Sequence, residues 1–229
     1  MYQGKKVSVV MPAYNEEEAI VQVINDFKKD FVDEIIVVDN SSTDGTVRLA
    51  EQVGAKVVKE TERGQGYACI RALKEATGDL IFLTESDTTF LGKDMYKLLQ
   101  YIDDFDIVFG SRLQRSMIGP KAMNWWTLWG NWILSTLIQW KYGNKVNLND
   151  VGVTFSLYRR EALDKIKDEL RSRKGEFTSE PMVLALKKKL KVVQIPTWYT
   201  SRRGLTKQSF SIWSSCIIGF THLKNILLR

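Results

Sequence analysis

The chain has 229 residues, 44% of them hydrophobic and 26% charged, with four prolines; this composition suits a globular fold with a sizeable core and excludes a disordered or low-complexity chain. Its net charge of +6 averages two unlike halves, since residues 1–111 carry 12 basic and 20 acidic side chains (net −8) and residues 112–229 carry 21 and 7 (net +14). Such a basic half calls for an anionic partner, whether nucleic acid, phosphorylated substrate or lipid headgroup, while two distant cysteines and one histidine, His222, exclude a disulfide framework, a thiol metal site and a zincin motif.

The opening residues lack the apolar core of a signal peptide and read as a first strand over 6–11, KVSVVM. A helical pattern follows over 16–29, then a strand over 34–39 (EIIVVD), a helix over 43–52 and a strand over 55–59. A helix over 65–76 leads to the strand DLIFLT over 79–84, a helix over about 93–102 and a strand over 105–110. Near-continuous apolar strands alternating with helices predict an α/β half built on a parallel sheet covered on both faces. In the second half, nineteen residues from Ala122 to Trp140 carry no charge, and five of the seven tryptophans fall between 125 and 140. Asn124, Thr127, Asn131, Ser135 and Gln139 recur there every three or four residues, a narrow polar stripe on an otherwise apolar helix. Six polar residues make this helix a poor membrane span. It reads either as lying in a membrane interface or as an interior core helix. A strand over 153–160, helices over 161–171 and 179–189, a strand over 191–196 and an uncharged, amphipathic stretch over 208–223 complete the chain.

Ligands of open α/β sheets sit beyond the carboxyl ends of the strands, which here carry Pro12-Ala13-Tyr14-Asn15-Glu16-Glu17, Asp39-Asn40-Ser41-Ser42 and Glu85-Ser86-Asp87. Glu85 and Asp87, two apart on an extended segment, share a face, and a hard divalent cation that also binds substrate phosphates relieves their repulsion. Gly64 and Gly66 either let backbone approach a ligand or simply start a helix. The run Lys187-Lys188-Lys189-Leu190-Lys191 reads as a solvated helix face, with anionic headgroups as the alternative.

The succession PAYNEE (12–17), VVDNSSTDGT (37–46), RGQGYACIRAL (63–73), GDLIFLTESD (78–87), FGSR (109–112) and DVGVTFSLYRREAL (150–163) resembles the family 2 glycosyltransferases of GT-A fold, and among them the dolichyl-phosphate mannose synthase type. The resemblance spans residues 5 to about 207. It implies one GT-A (Rossmann-like) catalytic domain over 1–229: a mixed, mainly parallel sheet flanked by helices, with amphipathic interfacial helices in the C-terminal half. Within it, 1–111 would be the nucleotide-sugar and metal half, 112–207 the acceptor half and 208–229 a C-terminal amphipathic helix. By position, Pro12, Tyr14 and Glu16 hold base and ribose, and Val37 and Asp39 close the base pocket. Glu85, Ser86 and Asp87 face the diphosphate, with Glu85 and Asp87 holding Mg²⁺ or Mn²⁺; Arg112 sits between donor and acceptor phosphates, its fork suited to paired oxygens. Arg202, Arg203 and Lys207 belong to a loop over the diphosphate, either arginine being able to reach inward. Asp150 falls in a motif and is assigned to acceptor or active-site orientation, and Glu180 is either a site carboxylate or a helix-start charge. The commoner family pattern has Asp at position 85 and Gln at position 89; Glu85 and Thr89 depart from it.

The expected activity is therefore inverting transfer of a sugar from a GDP- or UDP-linked donor to a polyprenyl (dolichyl-type) phosphate. The catalytic residues would be Asp87, Arg112 and Asp150, and the chain would sit peripherally on the cytoplasmic face of a membrane, without nucleic acid. Transfer to a saccharide or protein hydroxyl, and a noncatalytic membrane-surface module that binds nucleotide sugar, are the two other readings.

Overall fold

The structure is a computed structural model that describes residues 1–120, 122–143, 148–204 and 212–228. The elements, in chain order, are β1 (Val7–Ala13), α1 (Ile20–Phe27), β2 (Glu34–Asp39), α2 (Thr46–Gln52), β3 (Lys56–Lys59), α3 (Gln65–Glu75), β4 (Leu80–Leu83), α4 (Met95–Leu99), β5 (Ile107–Ser111), α5 (Trp125–Tyr142), β6 (Ser156–Arg159), α6 (Arg160–Ile166), α7 (Glu180–Lys187), β7 (Val192–Pro196) and α8 (Ile212–Leu228). The seven strands form one mixed, mainly parallel sheet in the order β3-β2-β1-β4-β6-β5-β7. Only β6 runs against its neighbours, pairing antiparallel with β4 (Phe82 opposite Leu157) and with β5 (Val108 opposite Leu157).

The apolar runs of β1, β2 and β4 are continuous because both faces of the sheet are covered. Val9, Val10, Ile36, Val37, Ile81 and Phe82 are all buried. α3 packs on β1 and β2, and α4 lies against β5 and β6. A cluster of Phe27, Phe82, Phe90 and Phe155, with ring centroids 5.2 to 6.4 Å apart, fills the space beside β4 and the start of β6.

Several helices are shorter than their patterns. α1 begins at Ile20 rather than 16 because the Glu16 carbonyl caps the turn, accepting from Ala19 N and Ile20 N, while Glu16 N donates to Thr46 Oγ1 at 2.7 Å. α2 begins at Thr46 because Asp44 turns back on it, accepting from Thr46 N and Oγ1. The helix over 93–102 divides into a 3₁₀ turn, Gly92–Asp94, and α4. Arg159 and Arg160, adjacent at the end of β6, are carbonyl clamps: Arg159 donates to Ile102 O, Asp103 O and Phe105 O, and Arg160 to Ala76 O and Gly78 O. The lysine run over 187–191 leads into β7 at the amino-terminal edge of the sheet, where Lys188 pairs with Glu169.

Because β1, β2, β4 and β5 are parallel, their carboxyl ends share one edge. β6, running the other way, begins at that same edge. The antiparallel strand therefore delivers residues 150–155, which precede it, to the place where the other strands end.

Candidate active site

At the end of β4, the carboxylates of Glu85 and Asp87 converge on the hydroxyl of Thr89, which lies 3.1 Å from Glu85 Oε2 and 2.5 Å from Asp87 Oδ1. One hydroxyl carries one proton and cannot donate to both. Thr154 Oγ1, brought in by the segment before β6, donates to Glu85 Oε1 at 2.7 Å. Burial, and then the charge of Asp87, push the Glu85 carboxyl up to about 7. On the other side Arg202 bridges Asp87, with Nη1 3.3 Å from Oδ2, and Glu16, which it contacts through Nη2. The guanidinium thus stands as a cation among these carboxylates. Oxygen ligands only, two carboxylates and a cavity for phosphates are what a hard divalent ion requires, so the residues fit Mg²⁺ or Mn²⁺. Among the described residues no group of three or more His, Cys, Asp or Glu surrounds a point, so the ion's remaining ligands would come from substrate and water.

Segment 199–204 is laid over this loop by two main-chain bonds, Thr200 N to Thr89 O and Arg203 N to Asp87 O, and by the Thr200 hydroxyl, which donates to Thr88 O (2.6 Å). Thr88 is held at φ 70°, a conformation that β-branched residues rarely adopt. Arg202 is the arginine that faces inward; the Arg203 side chain is exposed. Lys207 lies outside the described residues.

On the donor side, Pro12, Tyr14 and Glu16 line the cavity, with Arg63 stacked over the Tyr14 ring at 5.7 Å and Ser86 Oγ donating to Pro12 O at 2.7 Å. Asn40, named in the strand-end run but given no role of its own there, ties the end of β2 to the loop before α3, donating to Glu62 O and accepting from Gly64 N. Val37 is wholly buried in the middle of β2, and Asp39 accepts from Ser42 N to close a turn; neither side chain lines the cavity. Gly64 and Gly66 make close approach to protein backbone: a Cβ on either would lie 2.2 Å from a carbonyl oxygen, of Arg173 or Ser172 respectively. Glu180 is buried away from the cavity, its carboxylate accepting from Arg171 N and Ser172 N.

Arg112 follows β5 and is bound to Asp150 three ways, through N and Nε to Oδ2 (2.8 Å each) and Nη2 to Oδ1 (2.7 Å). Burial opposes its charge, but Asp150 more than offsets this and holds the guanidinium ionised. It also lies over the ring of Tyr199 at 5.3 Å, whose phenol burial pushes up to about 12. Gly152 makes room for it, since a Cβ there would sit 2.6 Å from Arg112 Nη2. Two further side chains hold the Asp150 loop, and sequence reasoning missed the part both play. Gln194 on β7 accepts from Asn149 N and Asp150 N and donates to Gly110 O and Asp150 O. Asn131 on α5 accepts from Val151 N and Gly152 N.

One open cavity of about 730 Å³ runs from Tyr14 and Arg63 past Glu85, Asp87, Arg202 and Arg112 to Trp126, Leu134, Ile218 and His222 on α5 and α8. The far end is framed by an inverted helix. The polar stripe of α5 points inward, with Asn131 and Ser135 buried, while Trp129, Trp132 and Trp140 are 60 to 78% exposed. α8 packs beside it and bares Ile217, Phe220 and Leu227. α5 is thus neither a wholly apolar core helix nor, like any described helix, long and apolar enough to cross a membrane.

Residues 8–167 match the family model for glycosyl transferase family 2. The chain is 31% identical over 205 residues to the low-salt glycan biosynthesis hexosyltransferase Agl6 of Haloferax volcanii, covering 86% of this chain and 48% of that protein, about half its length. It is 27% identical to a UDP-N-acetylglucosamine–dolichyl-phosphate N-acetylglucosaminyltransferase of Methanococcus voltae, covering 98% of this chain and 96% of the other. Among solved structures, glucosyl-3-phosphoglycerate synthase of Mycobacterium tuberculosis, in complex with Mn²⁺, UDP and phosphoglyceric acid, superposes with a TM-score of 0.75 at 20% identity, covering 99% of this chain and 78% of that one; the two share the fold.

Proposed function

The chain belongs to glycosyl transferase family 2, and we propose that it transfers a sugar, with inversion, from a nucleotide diphosphate sugar to a polyprenyl phosphate at a membrane surface. The base and ribose lie against Pro12, Tyr14 and Glu16, and the diphosphate lies toward Glu85, Asp87 and Arg202. Glu85 and Asp87 would hold a divalent ion, which when bound would supply electrostatic stabilisation of the departing diphosphate. Arg202 adds charge on the same side. Arg112, locked by Asp150, presents its fork to the acceptor phosphate and sets it in line with the anomeric carbon. A phosphomonoester is already largely ionised near pH 7, its second pKa being about 6, so the attack needs no general base.

The observation that carries this reading is the continuity of one cavity from the carboxylate pair, past Arg112, to two helices with bare apolar outer faces, that of α5 rich in tryptophan. Transfer to a hydroxyl is less well supported. It would require a free carboxylate base, and both oxygens of Asp150 and of Glu180 are already taken up by N–H donors. Tryptophans on an exposed helical face suit a membrane interface, and the buried free thiol of Cys69 suits a reducing compartment; both support peripheral placement on a cytoplasmic membrane face.

The test is nucleotide release from UDP- and GDP-sugars with Mg²⁺ or Mn²⁺, offered polyprenyl phosphate, soluble saccharides or no acceptor. Release that depends on polyprenyl phosphate is expected. Release with saccharides alone would overturn the acceptor, and donor binding without release under any condition would make the chain a binding module.

A further inference from the structure

The loop that carries Asp150 is suspended between two supports of different kinds. One is the sheet, through the fully used amide of Gln194. The other is α5: Asn131 Oδ1 accepts from Val151 N (3.0 Å) and Gly152 N (3.2 Å), and Gln139 Nε2 donates to Leu148 O (3.0 Å). These residues are the inward stripe of the helix whose outward face is Trp129, Trp132, Ile133 and Trp140. Asn131 Oδ1 and Arg112 Nη2 also flank the same backbone position, 3.7 and 2.6 Å from where a Cβ on Gly152 would be. A chain of contacts therefore runs from the bare face of α5, through Asn131 and Gln139, to the 148–152 loop, Asp150 and Arg112.

α5 is held from its inner side and from α8. Among the described residues, Ile138 is a buried apolar contact of α5, Leu134, Leu137 and Tyr142 are partly buried, and Lys141 reaches Ile226 O and Leu227 O at the end of α8. A rigid sheet support and a helix support that shares its outer face with a bilayer make the loop responsive to where α5 sits.

We propose that Asn131 and Gln139 are positioning residues that couple seating of α5 on a membrane surface to the placement of Arg112, so that the acceptor-phosphate fork is set when the enzyme is docked. This rests on the reading of Arg112 and α5 given under Proposed function. Asn131→Leu keeps the size of the side chain and removes both acceptances, whereas Asn131→Asp keeps an oxygen at that position with Arg112 close enough to offset its charge.

The first arm needs no turnover. Hydrogen exchange of the 149–152 amides is followed with and without vesicles of phosphatidylcholine and phosphatidylglycerol, alongside vesicle flotation. Wild type and Asn131→Asp should show slowed exchange on vesicles by about tenfold, and Asn131→Leu should float equally well without that slowing. In the second arm, transfer to polyprenyl phosphate in the same vesicles should fall about 10- to 100-fold in kcat for Asn131→Leu, with KM for the nucleotide sugar within about twofold, and recover in Asn131→Asp. Exchange in wild type that ignores vesicles, or the same slowing in Asn131→Leu as in wild type, would overturn the coupling. So would loss of flotation together with slowing, which would make Asn131 a support of the helix only. If wild type transfers sugar to no polyprenyl phosphate, the acceptor reading falls, and the exchange arm still decides the coupling.

Discussion

Asp87 is shared by Thr89, which bonds one carboxylate oxygen, and Arg202, which approaches the other. Asp87→Asn keeps the shape and most hydrogen bonds while removing the charge, so Mn²⁺ binding, read from the signal of free Mn²⁺, should weaken at least about tenfold, with transfer falling alongside it. Wild-type Mn²⁺ affinity in this variant would remove Asp87 from the cation site. Gly152→Ala puts a methyl carbon against Arg112 Nη2, and whether the arginine or the loop yields, the fork moves. We expect a fall of about 10- to 100-fold in kcat with donor KM little changed; normal kcat would mean that Arg112 tolerates displacement. His222 is buried against Ser179, its Nδ1 2.8 Å from the hydroxyl, and burial, opposed in part by Glu176, lowers its pKa to about 4. Unfolded, the imidazole titrates near 6.5, so the unfolded chain takes up the proton first as pH falls. The stability contributed by neutral His222 is thus complete above 6.5 and lost between 6.5 and 4, roughly 3 kcal/mol in all. The unfolding free-energy gap between wild type and His222→Asn should narrow over that range; a gap independent of pH would contradict it.

At the scale of elements, α5 reverses the usual rule for a surface helix. Its asparagine, serine and glutamine face the protein because loop backbone there needs partners, and its tryptophans face outward. Replacing Trp129, Trp132 and Trp140 together by Ser should leave the thermal midpoint within about 2 °C, these rings being mostly exposed, while weakening vesicle binding at least about tenfold. An equal loss of thermal stability would show that the face is packed rather than free. The polar stripe itself was legible from its spacing; its direction was not, because periodicity locates a stripe without saying what lies opposite it. The same limit applies to Asn40, Gln194 and Thr154, whose partners are 20 or more residues away. Glu85 and Asp87 could be picked out because they stand just beyond a strand end, where sequence alone predicts a crevice, whereas Arg112 was picked out by its place in the family motif after FGS. Val37, assigned from the same motif, is buried within β2.

For the whole molecule, the split between an acidic and a basic half describes the two sides of one cavity. Glu16, Glu85 and Asp87 come from the first half, and Arg112 and Arg202 from the second, with Arg202 reaching across to two of those acids. The strands of the first half were readable because both their faces are buried. The reversed insertion of β6 between β4 and β5 was not, since any apolar strand could fill that slot. That insertion bears on the order in which the chain can be assembled. As synthesis proceeds, β1 to β4 can pair as they emerge, but β5 has no partner in the sheet until β6 or β7 arrives, both later in the chain. The β1–β4 half can therefore mature first, leaving the flank of β4 bare and Arg112 unplaced. Only when residues 156–159 slot in are β5 and Arg112 fixed beside β4, so a product truncated before them would carry the Glu85 and Asp87 carboxylates without either of the arginines, Arg112 and Arg202, that stand near them in the finished fold.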